Sequence, residues 1–297
     1  MPPLQFAGVD VGGTRTKAVL MVGDEVVAEV VTDTPSRVAS DFGGHVGKVL
    51  ADLEGVPAAV GVVVPGMVED RSGLAIWSAN LGWRDLDVPA QVRAVAGIPV
   101  FAGHDVRAGL LGEATYGAGR KCQNVLFVAL GTGVASALMS SGVVVVGSLW
   151  TGEIGHVRVE ASQELCGCGG RGCLEAVIGA RSLAQRWRAT TGSKGEAEAL
   201  TAAVAAGDAA SGELWTEAVV ALAQTLAPTV AAAGVERIIV GGGLSNAGEI
   251  LLNPLRREMA ERLPGQDIEV VAATLGDRAA ALGAVELARV AWTKDMQ

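Results

Sequence analysis

Aromatic side chains are scarce in this chain of 297 residues, at 4%: one tyrosine, four phenylalanines and six tryptophans. Half of the residues are nonetheless hydrophobic, so a large core is expected from small aliphatic side chains. Charge is sparse too, at 19%, and only five lysines are present. The net charge of -9, a pI near 4.9 and the lack of any basic run argue against a nucleic-acid surface. No stretch approaches the roughly 18 consecutive apolar residues of a membrane span. The start, Met1-Pro2-Pro3-Leu4-Gln5, lacks the charged and apolar regions of a signal peptide. What is plentiful is glycine, at 41 residues, which suggests small-residue packing and many tight turns. The length suits two domains sharing one cleft.

Three of the four cysteines crowd into one stretch, as Cys166, Cys168 and Cys173, ten positions and more after His156. One imidazole and three thiolates make a closed tetrahedral set, the coordination of a structural zinc. Disulfides are the alternative, but Cys166 and Cys168 are too close to pair easily, and three cysteines leave one over. Gly167, Gly169 and Gly172 also spell G-x-G-x-x-G. A dinucleotide site needs that string between a strand and a helix, whereas here it is interleaved with metal ligands. Cys122 stands apart and reads as an inert buried thiol. A reduced thiol site and no targeting segment point to the cytoplasm.

Taken in order, the chain opens with a strand over 5–11, ended by Asp10 and the turn Gly12-Gly13-Thr14. Strands at 17–22 and 25–31 follow, joined at Gly23-Asp24. The pattern returns as strands at 124–130, 134–139 and 143–146, with Gly131-Thr132-Gly133 at the first turn. Such a duplication is an internal repeat, and two such turns facing each other offer backbone N–H groups to a polyphosphate. Two ordinary hairpins are the plain alternative. Between the repeats, helices are expected at 38–53, 88–95 and 106–115, with strands at 58–64 and 99–102. This alternation predicts an α/β sheet with functional residues at strand ends. Later, helices are expected at 180–190, 197–206 and 213–233, the last with a bend at Pro228. A strand at 236–240 feeds Gly241-Gly242-Gly243, bare backbone against which a flat ligand could lie. Asn246 is expected to cap a helix ending at Leu263, and Asp277 to begin a final helix to about Trp292.

The stretch Glu153, Gly155, His156, Cys166, Cys168, Gly169, Gly172, Cys173 and Glu175 matches E-x-G-H followed by C-x-C-G-x-x-G-C-x-E. It resembles the signature of the ROK family, which holds sugar kinases and related repressors. The strings Asp10 to Thr14 and Gly131 to Gly133 are similar to the two phosphate motifs of the actin-like ATPase superfamily, to which ROK kinases belong. The family often has Lys after the Thr; here Arg15 stands there and Lys17 two later, so either could approach phosphate. Asp105, Val106, Ala108, Gly112 and Glu113 resemble the family's D-V-x-A-x-x-x-G-E, and Asn80 falls in a segment similar to N-L-x-x-W.

The resemblance implies a two-domain actin-like (ribonuclease H-like) α/β fold with a cleft and a zinc-bound loop. One domain would comprise residues 1–106 and 277–297, the other 107–276. It implies an ATP-dependent hexose kinase acting on the C6 hydroxyl of glucose, with a kinase for an amino or N-acetyl hexose as the alternative. ATP would be held by Asp10, Gly12, Gly13, Thr14, Lys17, Gly131, Thr132 and Gly133, with Gly241, Gly242 and Gly243 near the adenosine. Asp10 would orient Mg2+ through water. The sugar would meet Gly66, Asn80, His104, Asp105, Glu153, His156 and Glu175. Asp105 would be the base; read alone, a Gly-His-Asp-Val string is a helix cap. For Asn80 the plain reading is a turn residue, and for Glu153 and Glu175 surface carboxylates. A homo-oligomer, dimer or tetramer, is implied as well. Polyphosphate stays open as donor. A sugar-sensing regulator is the rival class; its DNA-binding domain would precede the first phosphate motif, and Asp10 is reached almost at once. The family usually has Asn where this chain has His104, which leaves recognition at the sugar's C3 or C4 open.

Overall fold

The computed structural model describes residues 3–78, 81–160 and 162–295. They form two compact units. Unit 1 holds residues 1–117, 146–151 and 277–297; unit 2 holds 118–145 and 152–276. The divide thus falls after Gly117 and not after residue 106, because the helix that follows residue 104 packs within unit 1.

In unit 1, β1 (Gln5–Val11), β2 (Arg15–Val22) and β3 (Glu25–Asp33) run antiparallel. Helix α1 (Phe42–Ala51) starts where the Asp41 carboxylate accepts the Gly44 N–H at 3.1 Å. Residues 38–41, expected within this helix, form a separate 3-10 turn. Strand β4 (Ala59–Val64) lies parallel to β1, and every residue of it is buried, as suits a strand with both faces covered. The alternation did not predict β5 (Met67–Glu69), β6 (Leu74–Trp77) and β7 (Arg84–Asp87), a small antiparallel sheet of strands too short to show a period. Helix α2 (Val88–Ala96) is capped by Asp87 and stopped by Gly97 at φ 67°. Strand β8 (Val100–His104) then leads into α3 (Asp105–Tyr116), and the sheet order is β3-β2-β1-β4-β8.

Unit 2 repeats this topology. Strands β9 (Val125–Leu130), β10 (Val134–Ser140) and β11 (Val143–Val144) are antiparallel. After α4 (Leu174–Ile178), α5 (Ala180–Thr191), α6 (Ala197–Ala205) and α7 (Ala209–Ala233) comes β12 (Arg237–Gly241). Helix α8 (Glu249–Arg262) connects it to β13 (Glu269–Ala272), a strand not anticipated. The order β11-β10-β9-β12-β13 mirrors that of unit 1, so the duplication extends to five strands. Helix α7 begins at Ala209, not 213, because the Asp208 side chain accepts the Ser211 N–H at 2.8 Å. It is long and apolar enough to cross a membrane, but Leu214, Trp215, Leu222, Leu226 and Val230 pack into the core of unit 2. Asn246 caps nothing: it lies in a 3-10 turn, and α8 starts after Gly248 without a side-chain cap.

The last helix, α9 (Ala279–Asp295), returns to unit 1 after a 3-10 turn that holds Asp277. It lies directly on backbone. A Cβ placed on Gly8 of β1 would stand 2.0 Å from the Ala281 carbonyl oxygen, and one on Gly61 of β4 1.8 Å from that of Ala284. The contact with α3 is built the same way: a Cβ on Gly112 would lie 2.3 Å from the Ala279 oxygen, and one on Gly283 1.8 Å from that of Ala108. At its far end Arg289 donates to the Tyr116 hydroxyl and to Glu286 and covers the Phe6 ring. Gly61→Ala should therefore cost at least about 1–3 kcal/mol, the usual scale of overpacking. Urea denaturation measures it; an unchanged midpoint would mean that α9 does not sit on β4 at this distance.

Candidate functional site

The parallel strands of unit 1 bring its candidate residues to one edge of the sheet. Asp10 pairs in register with Val63, and Val64 with His104, so Asp10, Gly66 and the His104-Asp105 pair follow from adjacent strand ends. Gly66 has φ 101°, and a Cβ there would stand 2.3 Å from the Trp77 carbonyl oxygen, so the turn into β5 requires glycine. The turn Gly12-Gly13-Thr14 is closed by the Gly12 N–H donating to the Arg15 carbonyl at 3.0 Å. Beneath it Thr16 is fully buried, bonded to the Thr34 hydroxyl at 2.9 Å and His45 Nε2 at 2.8 Å. The sequence reading missed this triad; alternating threonines at 14 and 16 were its only trace.

Lys17 stands opposite Asp10 on β2 and reaches Asp277 Oδ2 at 3.2 Å, whereas Arg15 is exposed. Of the two cations, Lys17 is the one built into the site. Removal from water pushes the Asp10 carboxyl up to about 7; the like charge of Asp105 adds to this, Lys17 opposes it, and Asp277 adds a little. A bound cation would relieve that cost. Asp105 opens α3, and its Oδ1 accepts the Val106 N–H at 2.7 Å. His104, almost fully buried, is the N-cap residue of α3: its Nδ1 also accepts from the Val106 N–H, at 3.2 Å. Burial lowers the His104 pKa, only partly countered by Asp105, so the ring is neutral at neutral pH with its proton on Nε2. Asn80 lies outside the described residues.

In unit 2 the two glycine segments end neighbouring parallel strands. Gly241 pairs with Ala129, and Gly242, at φ 82°, would meet the Leu130 carbonyl oxygen at 2.4 Å if it carried a Cβ. The turn Gly131-Thr132-Gly133 is thereby set beside Gly241-Gly242-Gly243. It is pinned by the Ala180 N–H on the Gly131 carbonyl at 2.9 Å and by Glu175 Oε2, which accepts the Val134 N–H at 3.1 Å.

The side chains of His156, Cys166, Cys168 and Cys173 offer ligand atoms all within 4.8 Å of one another. Zinc bonded to sulfur at about 2.3 Å would set sulfur–sulfur edges of about 3.8 Å in a regular tetrahedron. Cys168 Sγ lies 3.7 Å from Cys173 Sγ, and Cys166 Sγ lies 3.7 Å from His156 Nδ1. The donor set fits zinc. His156 Nε2 points away from the sulfurs, 3.8 Å from Glu153 Oε2, so one ring nitrogen can serve a metal while the other stays available. Gly169 and Gly172 sit at φ 86° and 74°, which the turns between the cysteines demand. Without a cation, desolvation pushes the Cys166 thiol up to about 12 and raises that of Cys173, while the Gly170 N–H lowers that of Cys168. Metal capture would therefore expel protons. Glu175 joins the two parts of unit 2, with Oε1 3.7 Å from Cys166 Sγ and Oε2 on the second glycine turn. Zinc should copurify at about one ion per chain, as one four-ligand site requires. Cys168→Ser should lose it, lower the melting temperature and weaken ligand binding. A metal-free protein with wild-type melting would overturn the assignment.

Comparisons with known proteins agree with this geometry. The model of the ROK family matches residues 6–291. A glucokinase of Thermotoga maritima is 31% identical over 310 residues, covering 97% of this chain and 98% of its own. A ROK family glucokinase from Streptomyces griseus, solved in complex with glucose and AMPPNP, superposes with a TM-score of 0.83 at 28% identity. That match covers 96% of this chain and 99% of that one. A ROK hexokinase from Thermus thermophilus gives a TM-score of 0.88 at 26% identity, over 98% and 100% of the two chains. Two units with duplicated five-stranded sheets are the α/β actin-like fold that the sequence resemblance implied, and the chain belongs to the ROK family.

Proposed function

We propose that the protein is an ATP-dependent hexose kinase that phosphorylates the C6 hydroxyl of glucose, a glucokinase. The observation that carries this reading is the placement of Asp10 and Asp105 at one sheet edge, near enough that Asp105 raises the Asp10 pKa. Phosphoryl transfer needs one carboxylate for a cation and another for the proton of the attacking hydroxyl. Asp10, with Lys17 beside it, suits the first; a divalent cation held there through water would neutralise phosphate charge. Asp105 suits the second. Its Oδ1 is held by the Val106 N–H, so Oδ2 can accept the proton of a sugar hydroxyl late in the step. The glycine segments of unit 2 supply N–H groups and flat backbone for the nucleotide, and Glu153 and His156 Nε2 supply polar groups for the sugar. The need for reduced thiols at the metal site fits a cytoplasmic setting.

Asp105→Asn should keep the melting temperature and sugar affinity while kcat falls by about 10²–10⁴-fold. A panel of hexoses, each tested with ATP and with polyphosphate, fixes acceptor and donor. Near-native kcat in the variant would sink the role of Asp105.

One observation favours a second acceptor class, an N-acetyl hexose, whose carbonyl accepts a hydrogen bond. Where the family usually offers an Asn, His104 has its acceptor nitrogen bound to the Val106 N–H and presents only a donor. Asn is also a good helix cap, so His104→Asn should keep the fold. It should change the ranking of C3 and C4 epimers. It should also remove a rise in KM that appears on acidification below the ordinary histidine value, about 6.5. Identical rankings and pH profiles would show that the ring does not meet the sugar.

A further inference from the structure

Arg107 is the third residue of α3, and its side chain is only 8% exposed. A cation near the positive end of a helix is unfavourably placed. All three nitrogens of its guanidinium are nevertheless engaged. Nε donates to Asp70 Oδ1 at 3.2 Å and Nη2 lies 3.0 Å from Oδ2, a two-pronged fork. Nη2 also donates to the Val68 carbonyl and Nη1 to that of Thr151, both at 3.4 Å. Val68 belongs to β5 and Asp70 follows it, so the fork ties the first turn of α3 to the strand that leaves Gly66.

A buried ion pair gains little stability over apolar residues of the same volume, whereas a planar fork fixes direction. Arg107 lies about 3 Å along the helix axis from Asp105. Gly112 anchors the other half of α3 to α9. Among the described residues no ion pair joins Arg107 to Asp105, so the guanidinium is held away from the base while fixing its helix.

We propose that Arg107, through its fork with Asp70, is a positioning residue for Asp105, setting the distance between that carboxylate and the Gly66 turn. The proposal rests on the reading of Asp105 as the base. A misplacement of about 1 Å at a reacting group costs about 10²-fold in rate. Its test uses the zinc-loaded protein and three variants: Arg107→Met, Arg107→Lys, and Asp70→Asn combined with Arg107→Met. The combined variant leaves no unpaired buried charge and decides the matter where Arg107→Met alone fails to fold. In folded variants kcat for the best hexose should fall about 10–100-fold. KM should stay within about threefold, and Arg107→Lys, which keeps the charge but not the fork, should recover part of kcat. A folded combined variant with wild-type kcat overturns the positioning role, as does a loss of kcat that only follows the melting temperature. A wild-type protein that phosphorylates no hexose overturns the reaction reading instead, and is established before the variants are compared.

Discussion

The backbone of α9 can reach β1, β4 and α3 only because Gly8, Gly61, Gly112 and Gly283 carry no side chain. Much of unit 1 depends on that closeness. Asp10 is two residues beyond Gly8 on β1, and Asp105 begins the helix that Gly112 and Gly283 press against α9. Rings do meet at the far end of the helix, where Phe6 of β1 packs edge-on against Trp292 of α9 with centroids 5.7 Å apart. The two carboxylates are thus set by backbone-to-backbone packing, which has fewer soft degrees of freedom than side-chain packing.

Unit 2 solves the same problem with a different material. Its glycine turn is held by the Glu175 carboxylate, and Glu175 lies two residues after Cys173, in the first turn of α4. The four-ligand cluster therefore does more than staple a loop. It fixes the base of a short helix whose first turn reaches the Val134 N–H. A helix of five residues has little stability of its own and needs such an anchor.

The duplicated strands, the His/Cys cluster and the glycine turns were all legible in the sequence, because each rests on local chemistry: apolar runs, ligand spacing, turn residues. The strands β5 to β7 and β13 were not, since three or four residues carry no periodicity. Helix α7 starts earlier than its apolar pattern indicates because Asp208 caps it, and Asn246 is kept from capping α8 by the 3-10 turn in which it lies. Lys17 could be preferred to Arg15 only after the pairing of β1 with β2 set it opposite Asp10. Arg107 and Asp70 were invisible: 37 residues separate them, and no spacing rule links an arginine in a helix to an aspartate after a distant strand.

The place of α9 in the chain has a consequence for synthesis. Unit 1 begins before unit 2, yet its sheet is covered by a helix that follows unit 2 in the chain, whereas everything in unit 2 has been made once residue 276 is in place. A chain emerging from its N-terminus can therefore complete its second unit while the first still exposes the glycine faces of β1 and β4. During that interval the fully buried valines of β4 lack their cover, the kind of exposed apolar surface that chaperones bind. Completion of the fold can thus run in the reverse of the order in which the units begin.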